Sequence, residues 1–118
     1  MRRKRLSDDE VYQKMIQLML ERRLFLRPDL TRDALAREVL TNRTYITRAL
    51  KGRGLNFSQF VNSFRADYAI GLMTGKKYRD ASPVEIAELS GFSSVDTMNR
   101  YIKKSAGSTT CALRERML

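Results

Sequence analysis

The chain has 118 residues, a normal length for one compact domain, and 42% of them are hydrophobic, so it can bury a core. Lys and Arg number 23 against 13 Asp and Glu, a net charge of +10, with no histidine and a single cysteine, Cys111. This composition excludes histidine chemistry and an internal disulfide, and it points to a reducing compartment and a polyanionic partner: DNA, RNA or an anionic membrane surface.

Sixteen of the 23 cations are arginine, whose planar fork suits phosphates and guanine edges. No apolar run reaches the length of a membrane span, and "MRRKRLSDDE" lacks the apolar stretch of a signal peptide, so the chain is read as soluble and cytoplasmic. Carboxylates are scattered rather than paired. "KGRG" at 51–54 lacks the spacing of a phosphate loop. No catalytic residue, metal ligand, cofactor or small-molecule ligand is expected, and the chain is read as not an enzyme.

The patterns are helical throughout, and no stretch alternates like a strand. A first helix is expected from about Asp8 to Phe25, capped by Ser7 with Glu10 completing a capping box. Val11, Met15, Leu18 and Met19 line one side and are read as core. Pro28 disfavours helix at Arg27, so "RPDL" breaks the pattern. Thr31 opens a short helix over Arg32–Val39, with Leu35, Ala36 and Val39 inward. Asn42 caps a third helix, "RTYITRALK", whose apolar seam is Ile46 and Leu50, four apart. The sequence leaves open whether Tyr45 packs between helices or stacks outward. "GRGLN" is read as a turn.

Asn56 caps a long helix to about Thr74, with Phe57, Phe60, Val61, Phe64, Tyr68 and Leu72 at helical spacing. It reads as a central core helix rather than a dimer face. "GKKYRDAS" is a polar connector. Ser82, Pro83 and Glu85 then open a short helix to about Leu89. "SGFSSVDTMNRYIKK" follows as a turn and a helix with the seam Met98 and Ile102. A last turn or helix, about Thr110–Leu118, carries Leu113 and closes an all-α chain of about seven helices.

Two parts of this pattern repeat. Leu35-Ala36 matches Ile86-Ala87 at an offset of 51, and Ile46, Arg48, Leu50 and Lys51 match Met98, Arg100, Ile102 and Lys103 at an offset of 52. Two helix-turn-helix units therefore recur, joined by the long helix, the second turn one residue longer. Such a unit lays its second helix in the major groove. A thin seam holds that helix to its partner and leaves a wide polar face.

The arrangement resembles the DNA-binding domain of AraC/XylS-family transcription regulators. The resemblance covers about Leu30–Arg114 and is carried by "LAREVLTNRTYITRALK", "NFSQFVNSFRADYAIGLM" and "IAELSGFSSVDTMNRYIKKSAG". "TNRTYITRA" is similar to members from the Bacteroides group, where such domains often end large sensor proteins. The resemblance implies a two-lobed domain over 8–118, after a basic linker or tail at 1–7. It implies double-stranded DNA as partner, with RNA polymerase as a further candidate, and an upstream sensor domain outside this sequence. Leu40 stands where the first turn usually has glycine; a positive φ there would cost about 1 kcal/mol or more and loosen the first lobe. Met98, Thr110, Leu113 and a shorter turn after Lys51 also depart from the pattern.

The resemblance places base reading at Thr44, Thr47 and Arg48 in the first unit and at Val95, Asp96, Thr97 and Arg100 in the second. Arg48 and Arg100 suit a bidentate contact to guanine, a phosphate or a structural salt bridge. Thr44, Thr47 and Thr97 offer methyls to thymine or serve local caps. Asp96 suits cytosine N4, but its spacing from Ser93 is that of a capping box, which is the preferred reading. Arg43, Lys51, Lys103 and Lys104 are expected on the DNA backbone. Two other functions compete: a protein-interaction module with degenerate helix-turn-helix units, and membrane-surface attachment through "RRKR".

Overall fold

The computed structural model describes residues 6–106, and its regular structure there is helical. Six α-helices are present: α1 (Asp8–Arg22), α2 (Arg32–Val39), α3 (Arg43–Lys51), α4 (Phe57–Thr74), α5 (Pro83–Leu89) and α6 (Val95–Ala106). A 3₁₀ turn at Leu24–Leu26 follows α1. The expected closing helix at Thr110–Leu118 and Cys111 lie outside the described residues, as do the basic residues of "MRRKR".

The chain divides into two compact units, Met1–Leu24 with Asp29–Phe60, and Phe25–Pro28 with Val61–Leu118. In the first, α1, α2 and α3 pack on one another. Ser7 accepts from the Glu10 N–H and Glu10 accepts from the Ser7 N–H, the reciprocal box expected from sequence. Val11, Met15 and Met19 are buried, Leu18 only partly. The helix stops earlier than the periodicity suggests. Arg23 turns left-handed at φ 51°, so α1 ends at Arg22 rather than near Phe25, before Pro28 has any say. Thr31 and Asn42 cap α2 and α3 through the N–H groups of Ala34 and Tyr45. Leu35, Ala36, Val39, Ile46, Ala49 and Leu50 complete this core.

In the second unit the core is Ala66, Ala69, Met73, Ala81, Ile86, Ala87, Phe92, Met98 and Ile102. Asn56 and Gln59 form a capping box at the start of α4. Of the α4 aromatics Phe60 is buried, while Phe64 and Tyr68 are half-buried and meet the Phe25 ring at 6.0 and 5.7 Å between centroids. Arg65, at the buried centre, donates from Nε to the Phe25 carbonyl (2.6 Å), from Nη2 to the Arg27 carbonyl (2.7 Å) and from Nη1 to Asn62 (2.9 Å). No carboxylate pairs with it among the described residues, and burial pulls its guanidinium below the ordinary arginine value. Gly91 also lies against this strap, Phe25–Pro28. At φ +84°, a Cβ there would stand 2.5 Å from the Phe25 carbonyl oxygen.

Candidate nucleic-acid interface

The two turns that set the second helix of each unit are built alike. In the first, the Thr41 N–H donates to the Ala36 carbonyl at 2.9 Å across Leu40, which is left-handed at φ 66°. In the second, the Phe92 N–H donates to the Ala87 carbonyl at 3.0 Å across Gly91. Both are Schellman closures, and the offset of 51 holds for donor and acceptor. Leu40 accordingly occupies a position that favours glycine, with its side chain 72% exposed.

From these turns α3 and α6 emerge with the expected seams. Ile46 and Met98 are fully buried, as are Leu50 and Ile102 within a per cent. Thr44, Thr47, Arg48, Arg43 and Lys51 are exposed on α3, and Asp96, Arg100, Lys103 and Lys104 are exposed on α6. Val95 is half-buried against the core of its unit and offers less surface than the other candidates. Lys104 sits 5.4 Å from the Tyr101 ring centroid.

The cap of α6 differs from expectation. Ser94, not Ser93, accepts from the Thr97 N–H at 3.1 Å, and its hydroxyl donates to the Thr97 hydroxyl at 3.0 Å. Thr97 is thus part of the cap. Asp96 is released from that duty and makes no hydrogen bond or ion pair among the described residues.

Arg48 is engaged on its own unit. Its Nη2 lies 3.7 Å from an Asp8 carboxylate oxygen, and its guanidinium carbon lies 5.8 Å from the Tyr45 ring centroid. Arg53 repeats the theme, pairing with Asp9 at 3.1 Å and covering the Tyr12 ring at 4.4 Å. "GRG" is therefore a turn, with its arginine committed. Arg43 and Lys51 have no carboxylate partner among the described residues.

A hollow of about 230 Å³ brings Thr47 and Lys51 together with Arg32, the first residue of α2. A second hollow places Arg32 beside Arg43. Sequence reading missed Arg32. Its place one residue after the Thr31 cap, where a first helix meets a phosphate backbone, was the available signal.

A helix-turn-helix domain model matches residues 35–116. The TCP pilus virulence regulatory protein of Vibrio cholerae is 31% identical over 84 residues, covering 68% of this chain and 29% of that protein. The chain thus spans less than a third of the length of that relative. Two solved structures share the fold. A DNA-binding transcriptional dual regulator from Escherichia coli K-12 has a TM-score of 0.73 at 18% identity, over 90% of this chain and 96% of that one. The C-terminal domain of AraT, a response regulator from Geobacillus stearothermophilus, has a TM-score of 0.73 at 23% identity, over 96% and 88%.

Proposed function

The chain belongs to the AraC-type helix-turn-helix family, and from that membership we propose that it binds double-stranded DNA sequence-specifically as a transcription regulator. One observation carries the reading. Each of two equivalent helices, α3 and α6, buries a narrow seam and exposes a polar, cationic face. A duplex reader needs that division, because the seam fixes the helix and the free face meets base edges and phosphates.

In this reading α3 and α6 enter successive major-groove segments. Thr44, Thr47 and Arg48 read bases from α3, and Asp96, Thr97 and Arg100 read them from α6, with Val95 marginal. Arg43, Lys51, Lys103 and Lys104 hold the backbone, and Arg32 joins them. The work is recognition rather than catalysis, carried by a domain over 8–118. RNA polymerase and an upstream sensor domain are the protein partners the family implies. The response-regulator context of one structural relative and the greater length of the V. cholerae relative support the sensor.

Titrating a mixed-sequence duplex from about 50 to 200 mM salt tests the reading. Affinity should fall log-linearly by orders of magnitude as phosphate contacts release counterions. A flat response would favour the protein-interaction module. That alternative also wants an apolar patch on the long helix, and no large hydrophobic residue of α4 is exposed.

A further inference from the structure

We propose that the connector between α4 and α5 is a second-lobe clamp on the DNA backbone, with Lys76 and Arg79 as its phosphate-contacting groups. The inference rests on the DNA reading above and extends it to residues outside both reading helices.

The first helix of a helix-turn-helix crosses the sugar-phosphate backbone. In the first unit that helix, α2, carries Arg32 in its first turn. In the second, α5 carries nothing of the kind. Its seven residues include Glu85 and Glu88 and no Lys or Arg, and its first position is Pro83, which has no N–H to offer. A helix with two carboxylates repels a polyanion unless cations stand nearby.

Those cations lie just upstream. Lys76, Lys77 and Arg79 are exposed, with Asp80 as the only carboxylate among them. The segment that bears them is anchored. Tyr78 packs against the core of the second unit, and Ala81 is part of that core. Two successive turns fold the backbone, from the Arg79 N–H to the Lys76 carbonyl and from the Ala81 N–H to the Tyr78 carbonyl. Lys77 lies over the Tyr78 ring, 5.5 Å from its centroid. Lys76 and Arg79 have no carboxylate partner among the described residues. Cations on an anchored turn forfeit less conformational freedom on meeting a phosphate than cations on a loose tail.

The test compares two double variants of the full chain with equal loss of charge. One is Lys76→Gln with Arg79→Gln. The other is Lys14→Gln with Arg27→Gln, which removes exposed cations of α1 and of the segment before Pro28. Binding is measured on a labelled mixed-sequence duplex about three helical turns long across a salt series, and thermal melts check folding. The connector variant should reduce the salt slope by about two, equally on any sequence, while the control pair changes it by much less. Equal slopes for wild type and connector variant, with wild type binding steeply, would overturn the clamp and leave the DNA reading intact. A wild-type chain that binds no duplex would overturn both.

Discussion

Arg48 and Asp8 are neighbours: the guanidinium of a helix expected to read DNA stands 3.7 Å from a carboxylate in the first turn of α1. Both side chains are about half exposed, so the pair stabilises the fold by no more than about 1 kcal/mol. A phosphate or a guanine edge competes for the same guanidinium. Asp8→Asn should tighten binding to a duplex at low salt about threefold and leave the melting temperature nearly unchanged. The gain should fade as salt screens the pair. Asp67→Asn, an exposed change on α4, controls for net charge. Weaker binding by Asp8→Asn would mean that Asp8 orients Arg48 for contact rather than withholding it.

Leu40 and Gly91 hold equivalent positions, both left-handed, and opposite substitutions should have opposite signs. Leu40→Gly relieves strain at φ 66° while removing a largely exposed side chain, and after the entropy cost of glycine it should stabilise by about 0.5–1 kcal/mol. Gly91→Ala meets both the wrong φ and the Phe25 carbonyl, and should destabilise by about 2–3 kcal/mol. Denaturant melts of the two variants check the pair. A destabilised Leu40→Gly would show that the leucine makes a contact worth more than its strain.

Arg65 binds the strap Phe25–Pro28 through two carbonyls. Arg65→Met keeps the volume but strands both acceptors and Asn62, and should cost about 2–4 kcal/mol. Hydrogen exchange should then rise at Gly91 and Phe92, whose turn faces the same strap. Unchanged protection there would limit the role of Arg65 to α4 itself.

Arg100 and Lys104 share α6 but differ in expected duty. Arg100→Ala should cost about 1–3 kcal/mol and relax preference at one base step. Lys104→Ala should weaken binding to all sequences alike and lower the salt slope by about one. Selection from a randomised duplex pool, with each variant in turn, separates the two. Sequence-independent losses from both would take Arg100 out of the reading set.

Much of this architecture is local and was therefore legible. Ser7, Thr31, Asn42, Asn56 and Ser82 cap helices because each precedes an apolar period, and a cap is a four-residue affair. The seams Ile46/Leu50 and Met98/Ile102 followed from spacing alone. At α6 two frames overlap in "SSVDT", Ser93 with Asp96 and Ser94 with Thr97. The chain takes the second, with Ser94 accepting from the Thr97 N–H. Arg65 was invisible because the two carbonyls it binds lie 38 and 40 residues away. The engagement of Arg48 by Asp8 spans a similar gap, and no pattern along α3 announces it.

Footprinting of the chain on its selected duplex reports which groove each helix occupies. Two protected major-groove segments are expected, about 34 Å or one turn apart. Thr47→Ala with Arg48→Ala should erase protection of one segment and spare the other, while Thr97→Ala with Arg100→Ala should do the converse. A single protected segment, or variants that weaken both segments equally, would contradict the reading of α3 and α6 as two separate recognition helices.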